Sequence, residues 1–123
     1  PVLAERLGTL PEKLMFSCRE CWNLFNELKA QGMRNLLVTG IETHVCVQQT
    51  VLDFLAQGWG VYVAADAVGS RHRIDYEIAL RRMEVSGAVL TTTEAALFEW
   101  CVRAGTDQFK KISRLVQESL PDE

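Results

Sequence analysis

No apolar run in this sequence approaches the roughly 18 residues that a membrane-spanning helix needs, and its start, "PVLAERLG", lacks the basic and apolar regions of a signal peptide. Both absences point to a cytoplasmic protein. An excess of one charge is lacking too: the formal net charge is −3 and the basic residues are dispersed as "RHR", "RR" and "KK". No dominant field therefore draws the chain to nucleic acid. Internal repeats, low-complexity segments and linkers are absent, so no domain boundary is drawn, and the 123 residues read as one domain, 1–123. A chain of that length buries roughly two-thirds of the surface its unfolded form exposes, without a metal or disulfide staple. There is no initiator methionine, Pro1 standing first, and the first dozen residues show neither strand nor helix period. The expectation is a domain that lacks its N-terminal part.

What is present is a strong alternation of apolar patterns. Residues 1–17 read as loop, broken by Gly8 and Pro11; Cys21, Leu24, Phe25 and Leu28 then fall at helical spacing, which predicts a helix over 18–31 ended by Gly32. "NLLVTGI" is a short continuous apolar run, as a strand covered on both faces requires, and Val47, Val51, Phe54 and Leu55 follow at helical spacing up to Gly58. The pattern recurs with the strand "GVYVAADAV", a helical stripe of Tyr76, Ala79, Leu80 and Met83, and a third strand, "AVLTT", after Gly87. Thr91 with Glu94 matches a capping box. Leu97, Trp100, Cys101 and Ala104 mark the next helix, and Phe109, Ile112 and Val116 a last one after Asp107, with Pro121 closing the ordered part.

Strands alternating with helices over short connections imply right-handed crossovers and a parallel sheet with helices on both faces. The fold class is α/β, a three-layer αβα arrangement of Rossmann-like type. Three strands are few for such a sheet, which again suggests missing N-terminal strands. In open α/β sheets the site lies at the carboxyl ends of the strands, where helix N-termini turn free amides and positive dipole ends to the crevice. Cys46, in "GIETHVCVQQT", falls within the first turn after the first strand. A thiolate there is stabilised by the dipole, and backbone N–H groups of the same turn can hold a developing oxyanion. A small buried hydrophobe is the bland alternative for the same residue.

The stretch "LLVTGIETHVCVQQTVLDFLAQGWGVYVAADAVGSR", followed by "DAVGSRHRIDYEIALRRMEVSGAVLTTTE" and preceded by "KLMFSC", resembles the isochorismatase-like cysteine hydrolases, nearest the isochorismatase domain-containing proteins of unassigned substrate. Several spaced motifs agree in order, and the resemblance covers most of the chain as the family's C-terminal portion. It implies that Cys46 is the nucleophile and that Lys13, ahead of "LMFS", is the lysine that favours the thiolate. It further implies a cis peptide between Ile41 and Glu42 and an oxyanion hole formed by the N–H groups of Glu42 and Cys46. Thr43 is expected to cap the helix and His44 to lie at the rim. The implied reaction is hydrolysis of a small amide or related C–N or ester-type substrate through an acyl-enzyme. The implied protein is a homo-oligomer with no cofactor, no metal, no nucleic acid and no membrane partner. Isochorismate-hydrolysing members generally lack this cysteine, so Cys46 argues against that activity.

One departure stands beside the match. The family's proton-accepting aspartate ends a strand that would precede Pro1, and Asp53, Asp66 and Asp75 read as helix-surface, strand-end and cap groups instead. Two alternatives follow. The chain could be a non-catalytic scaffold or interaction protein of the same fold; a parent sequence with no aspartate at its first strand end would decide for it. "CREC", Cys18 to Cys21, has redox spacing and with Cys46, His44 or Cys101 could be imagined as a zinc site, but Cys21 belongs to an apolar stripe and no second close ligand pair exists. With nothing pointing to secretion, all four cysteines are expected as free thiols. Trp22, Trp59 and Trp100 are expected to cover core or interface.

Overall fold

The computed structural model describes residues 2–118, with side chains described from residue 5 onward. Its helices are α1 (Val2–Leu7), α2 (Trp22–Ala30), α3 (Gln48–Ala56), α4 (Arg73–Val85), α5 (Thr93–Cys101) and α6 (Asp107–Leu115). Three strands, β1 (Asn35–Ile41), β2 (Gly60–Gly69) and β3 (Val89–Thr91), form a parallel sheet in the order β1-β2-β3. The three apolar runs become the three strands, but only the central β2 buries residues; β1, expected to be covered on both faces, and β3 are half-buried or exposed along their length, as edge strands of this sheet.

Alternation along β2 divides the layers. Val61 and Val63 are buried against Val51, Phe54 and Met83, so α3 and α4 cover one face. Tyr62 points to the other face and shares an open cavity with Ala96, Glu99 and Trp100 of α5. Beyond α3, Trp22 and Phe25 of α2 meet Phe54 edge-on, with ring centroids 4.7 and 4.5 Å away. Phe54, Val51, Val63 and Met83 have no measurable exposure. Each such side chain contributes on the order of 1.5–3 kcal/mol through its removal from water.

The pairing of β1 with β2 contains a step. Asn35 to Val38 lie opposite Gly60 to Val63, but Gly40 and Ile41 lie opposite Val68 and Gly69. On its other edge β2 pairs with β3, with Tyr62, Val63 and Ala64 opposite Val89, Leu90 and Thr91. Asp66, at the outward turn of β2, accepts hydrogen bonds from Thr93 N (2.8 Å) and Thr93 Oγ1 (3.1 Å) and so anchors the start of α5.

Several expectations are corrected. Residues 1–17 are not all loop, because α1 lies within them; at six residues it is too short to display a period. The helix expected over 18–31 is a 3₁₀ turn, Cys18–Cys21, followed by α2. The cap of α5 is Thr92, whose Oγ1 accepts from Ala95 N at 3.3 Å, rather than Thr91, which ends β3. That helix stops at Cys101, before Ala104, where Val102 takes φ 66°. Trp59 lies in the core, as expected, and Trp100 is 67% exposed. Pro121 lies outside the described residues. Among the described residues no helix is long and apolar enough to cross a membrane.

Candidate active site

The site is built on the carboxyl end of β1. Gly40 takes φ 114°, a conformation that only glycine adopts without steric cost. The next peptide bond, Ile41–Glu42, is cis. The chain then enters a five-residue π-helical turn, Thr43–Val47, that runs directly into α3. Val45 N and Val47 N both donate to Glu42 O at 3.2 Å, which fixes the mouth of the turn. Cys46 lies within this turn, half-buried, at the end of the helical segment where unpaired N–H groups concentrate positive potential.

Cys46 lines an open cavity of about 200 Å³ together with Lys13, Cys18, Thr39, Ile41 and Thr50. Lys13 reaches it from a tightly folded segment. The Glu20 carboxylate accepts from Leu14 N (2.6 Å) and Met15 N (2.8 Å), while Lys13 Nζ donates to Met15 O (2.9 Å) and Phe16 O (2.8 Å). An ammonium has three donors, of which these two carbonyls engage two. Ser17 caps the following 3₁₀ turn by accepting from Arg19 N, and Cys18 N donates to Thr50 Oγ1 at 3.0 Å. Residues far apart in sequence thereby enclose one space around a thiol.

Glu42 occupies the rim. Its Oε1 pairs with Arg71 Nε at 2.9 Å, and its buried Oε2 lies 3.6 Å from His44 Nε2. His44 Nδ1 is 2.9 Å from Ser70 Oγ, and Asp75 Oδ2 lies 4.0 Å from Nε2. The imidazole is thus held between the β1–α3 and β2–α4 connections and does not line the cavity. Thr43 does not cap the helix: it is fully buried, its Oγ1 has no hydrogen-bond partner among the described residues, and Glu42 is the cap residue. The π turn turns Thr43 inward.

The three aspartates hold other groups. Asp53 lies 3.8 Å from Arg19 Nε, Asp66 binds Thr93, and Asp75 sits in the first turn of α4. No carboxylate lines the cavity among the described residues. The cysteines are free thiols, and among the described residues no group of three or more His, Cys, Asp or Glu side chains is gathered as a metal site would require. Sequence reasoning missed Cys18 as a wall of the cavity, because it grouped that residue with Cys21. The adjacent "KLMFS" run was the available signal.

A parallel α/β sheet with a thiol in the turn after its edge strand defines an open-sheet protein whose site lies at the strands' carboxyl ends. The chain belongs to the isochorismatase family: residues 9–95 match the Isochorismatase domain. It is 46% identical over 110 residues to isochorismatase family protein 1A of Dictyostelium discoideum, a match covering 87% of this chain and 52% of that protein. Among solved structures it is similar to the MAR1 ribonuclease from Caenorhabditis elegans, with TM-score 0.76, 38% identity, and coverage of 89% of this chain and 56% of the other. It is also similar to a pyrazinamidase/nicotinamidase from Streptococcus mutans, with TM-score 0.61, 26% identity, and coverage of 64% and 44%. The chain spans about half the length of the curated relatives it matches.

Proposed function

We propose that this chain carries the nucleophile of a cysteine hydrolase acting on a small amide or related C–N or ester-type substrate. The observation that supports it best is the cavity that Cys46 shares with Lys13. An ammonium near a thiol stabilises the charged form, and the positive end of the helical segment adds to that stabilisation. The thiolate attacks the carbonyl carbon, and the backbone N–H groups of Glu42 and Cys46 hold the oxyanion of the tetrahedral intermediate. Collapse expels the amine, which takes a proton from a neighbouring acid, and water then releases the acyl group from sulfur. Sequence beyond this chain's span is proposed to supply the carboxylate that takes the thiol proton and returns it to the leaving amine. The relative described as a pyrazinamidase/nicotinamidase is consistent with a primary carboxamide as substrate. We propose a homo-oligomer as the working form.

A second reading is favoured by the absence of a carboxylate among the described cavity residues: the fold without the activity. A third comes from the relative described as a ribonuclease. A phosphodiester substrate calls for cations along the backbone path, and Lys13 is the one cation among the described residues lining the cavity.

The test is turnover by the polypeptide as the cell makes it, on aromatic carboxamides, their esters and a defined RNA. Cys46→Ala is expected to lower amide turnover by about a thousandfold or more, with an acyl group found on Cys46 of the parent by intact mass. Unaltered turnover in Cys46→Ala, or cleavage of RNA with no amide hydrolysis, overturns the proposal.

A further inference from the structure

Cys18 is a second thiol on the wall of the cavity that holds Cys46. The two are brought together by Thr50. It lies four residues after Cys46, hence on the same side of the helical segment, and its Oγ1 accepts from Cys18 N at 3.0 Å. Cys46 and Cys18 are both half-buried, so each is reachable from the cavity, whereas Cys101 is buried at the end of α5 and does not line it. The hydrolytic mechanism uses Cys46 and leaves Cys18 without a task.

We propose that Cys18 is the resolving thiol of Cys46, so that hydroperoxide converts the site reversibly to a Cys18–Cys46 disulfide. The inference rests on Cys46 being the reactive thiol of the proposed function. In the first step the Cys46 thiolate attacks one peroxide oxygen. The S–O bond forms, the O–O bond breaks, and the other oxygen leaves as water or alcohol after taking a proton; Cys46 is oxidised to sulfenic acid and the peroxide is reduced. In the second step Cys18 sulfur attacks Cys46 sulfur. The S–S bond forms and the S–O bond breaks, and the hydroxyl leaves as water with the Cys18 proton. The bridge closes the cavity to substrate and stops Cys46 short of the irreversible sulfinic acid. A thiol reductant restores both groups.

Cys21 offers the competing partner. It lies three residues after Cys18 across a 3₁₀ turn, where such side chains eclipse. It does not line the cavity with Cys46. Arg19 separates the two cysteines for trypsin, which makes the alternatives resolvable: Cys18 falls in peptide 14–19, Cys21 in 20–29 and Cys46 in 35–71.

The experiment treats reduced protein with hydrogen peroxide, blocks remaining thiols, and maps tryptic peptides without reduction. The expected product links peptide 14–19 to 35–71, with the loss of two hydrogen masses, and dithiothreitol returns both thiols. Cys21→Ser is expected to leave the link intact. Cys18→Ser and Cys18→Ala are both expected to abolish it and to raise sulfinic acid at Cys46 by about tenfold at equal peroxide dose. A Cys18–Cys21 link, or Cys46 sulfinic acid in the parent with Cys18 still free, overturns the inference. Iodoacetamide labelling of the reduced parent separates the two readings. If Cys46 is alkylated but never linked, the disulfide alone fails; if Cys46 resists both reagents, the nucleophile reading fails with it.

Discussion

Thr50 Oγ1 accepts a 3.0 Å hydrogen bond from the backbone N–H of Cys18, tying the 3₁₀ turn at Cys18–Cys21 to the first turn of α3. Thr50 is buried, so removing its oxygen strands a donor where water has little access. Thr50→Val is expected to cost about 1–3 kcal/mol, and Thr50→Ser much less. Urea unfolding checks this, and a loss in Thr50→Ser with none in Thr50→Val would show that the methyl group rather than the hydrogen bond matters.

Thr43 is the opposite case. Its buried hydroxyl finds no partner among the described residues, which makes it a cost rather than a support. Thr43→Val keeps the shape and removes the unsatisfied group, so the thermal midpoint is expected to hold or to rise, by up to about 1–2 kcal/mol of stability. A marked drop would mean that the hydroxyl is satisfied in solution.

Glu42 offers a separation between backbone and side chain. The proposed oxyanion donor is its N–H, whereas its carboxylate pairs with Arg71 at 77% exposure of the arginine. The arginine partner is largely exposed and screened by water, so Arg71→Gln should change stability by less than about 1 kcal/mol. Glu42→Gln retains the backbone donor and is expected to lower amide turnover by less than about tenfold, against about a thousandfold for Cys46→Ala. Steady-state kinetics of the two variants side by side decide it.

Val102 takes φ 66° and ψ −42° just past α5, closing a three-residue turn in which Arg103 N donates to Cys101 O at 2.8 Å. A β-branched residue is strained there, at a cost on the order of 1–3 kcal/mol, and Val102 is 84% exposed, so little packing offsets it. Val102→Gly is expected to raise stability by about 1 kcal/mol despite glycine's larger unfolded-state entropy. Calorimetry would show this as a higher unfolding temperature with unchanged turnover.

The strands were legible because each is a short apolar run that follows a glycine, although only the central β2 buries residues. "NLLVTGI" became β1 residue for residue. The capping residue of α5 was misplaced by one because Thr91, Thr92 and Thr93 present three similar hydroxyls, and only the end of β3 decides which one turns outward. Thr43 was misread for a related reason: a hydroxyl before an apolar stripe is a cap signal, but a π turn adds a residue that no local pattern announces. The pairing of Glu42 with Arg71 joins two loops, and neither loop's sequence names the other. Cys46 could be placed after β1 from periodicity alone. That Lys13, Cys18 and Thr50 enclose the same space could not, because their meeting is set by how α2 and α3 pack around Phe54.

The step in the β1–β2 pairing sets how the site moves. From Val38 to Gly40 β1 advances two positions while β2 advances five, from Val63 to Val68. β2 thus leaves its neighbour, touches α5 through Asp66, and returns to hold Gly40 and Ile41 from the side. The tip of β1 is consequently a shelf clamped by a strand that is itself moored on the far layer, so its amides should exchange with solvent as slowly as those of the sheet's middle. Loosening Asp66, on the opposite side of the sheet from α3, would then be felt at the shelf as faster exchange.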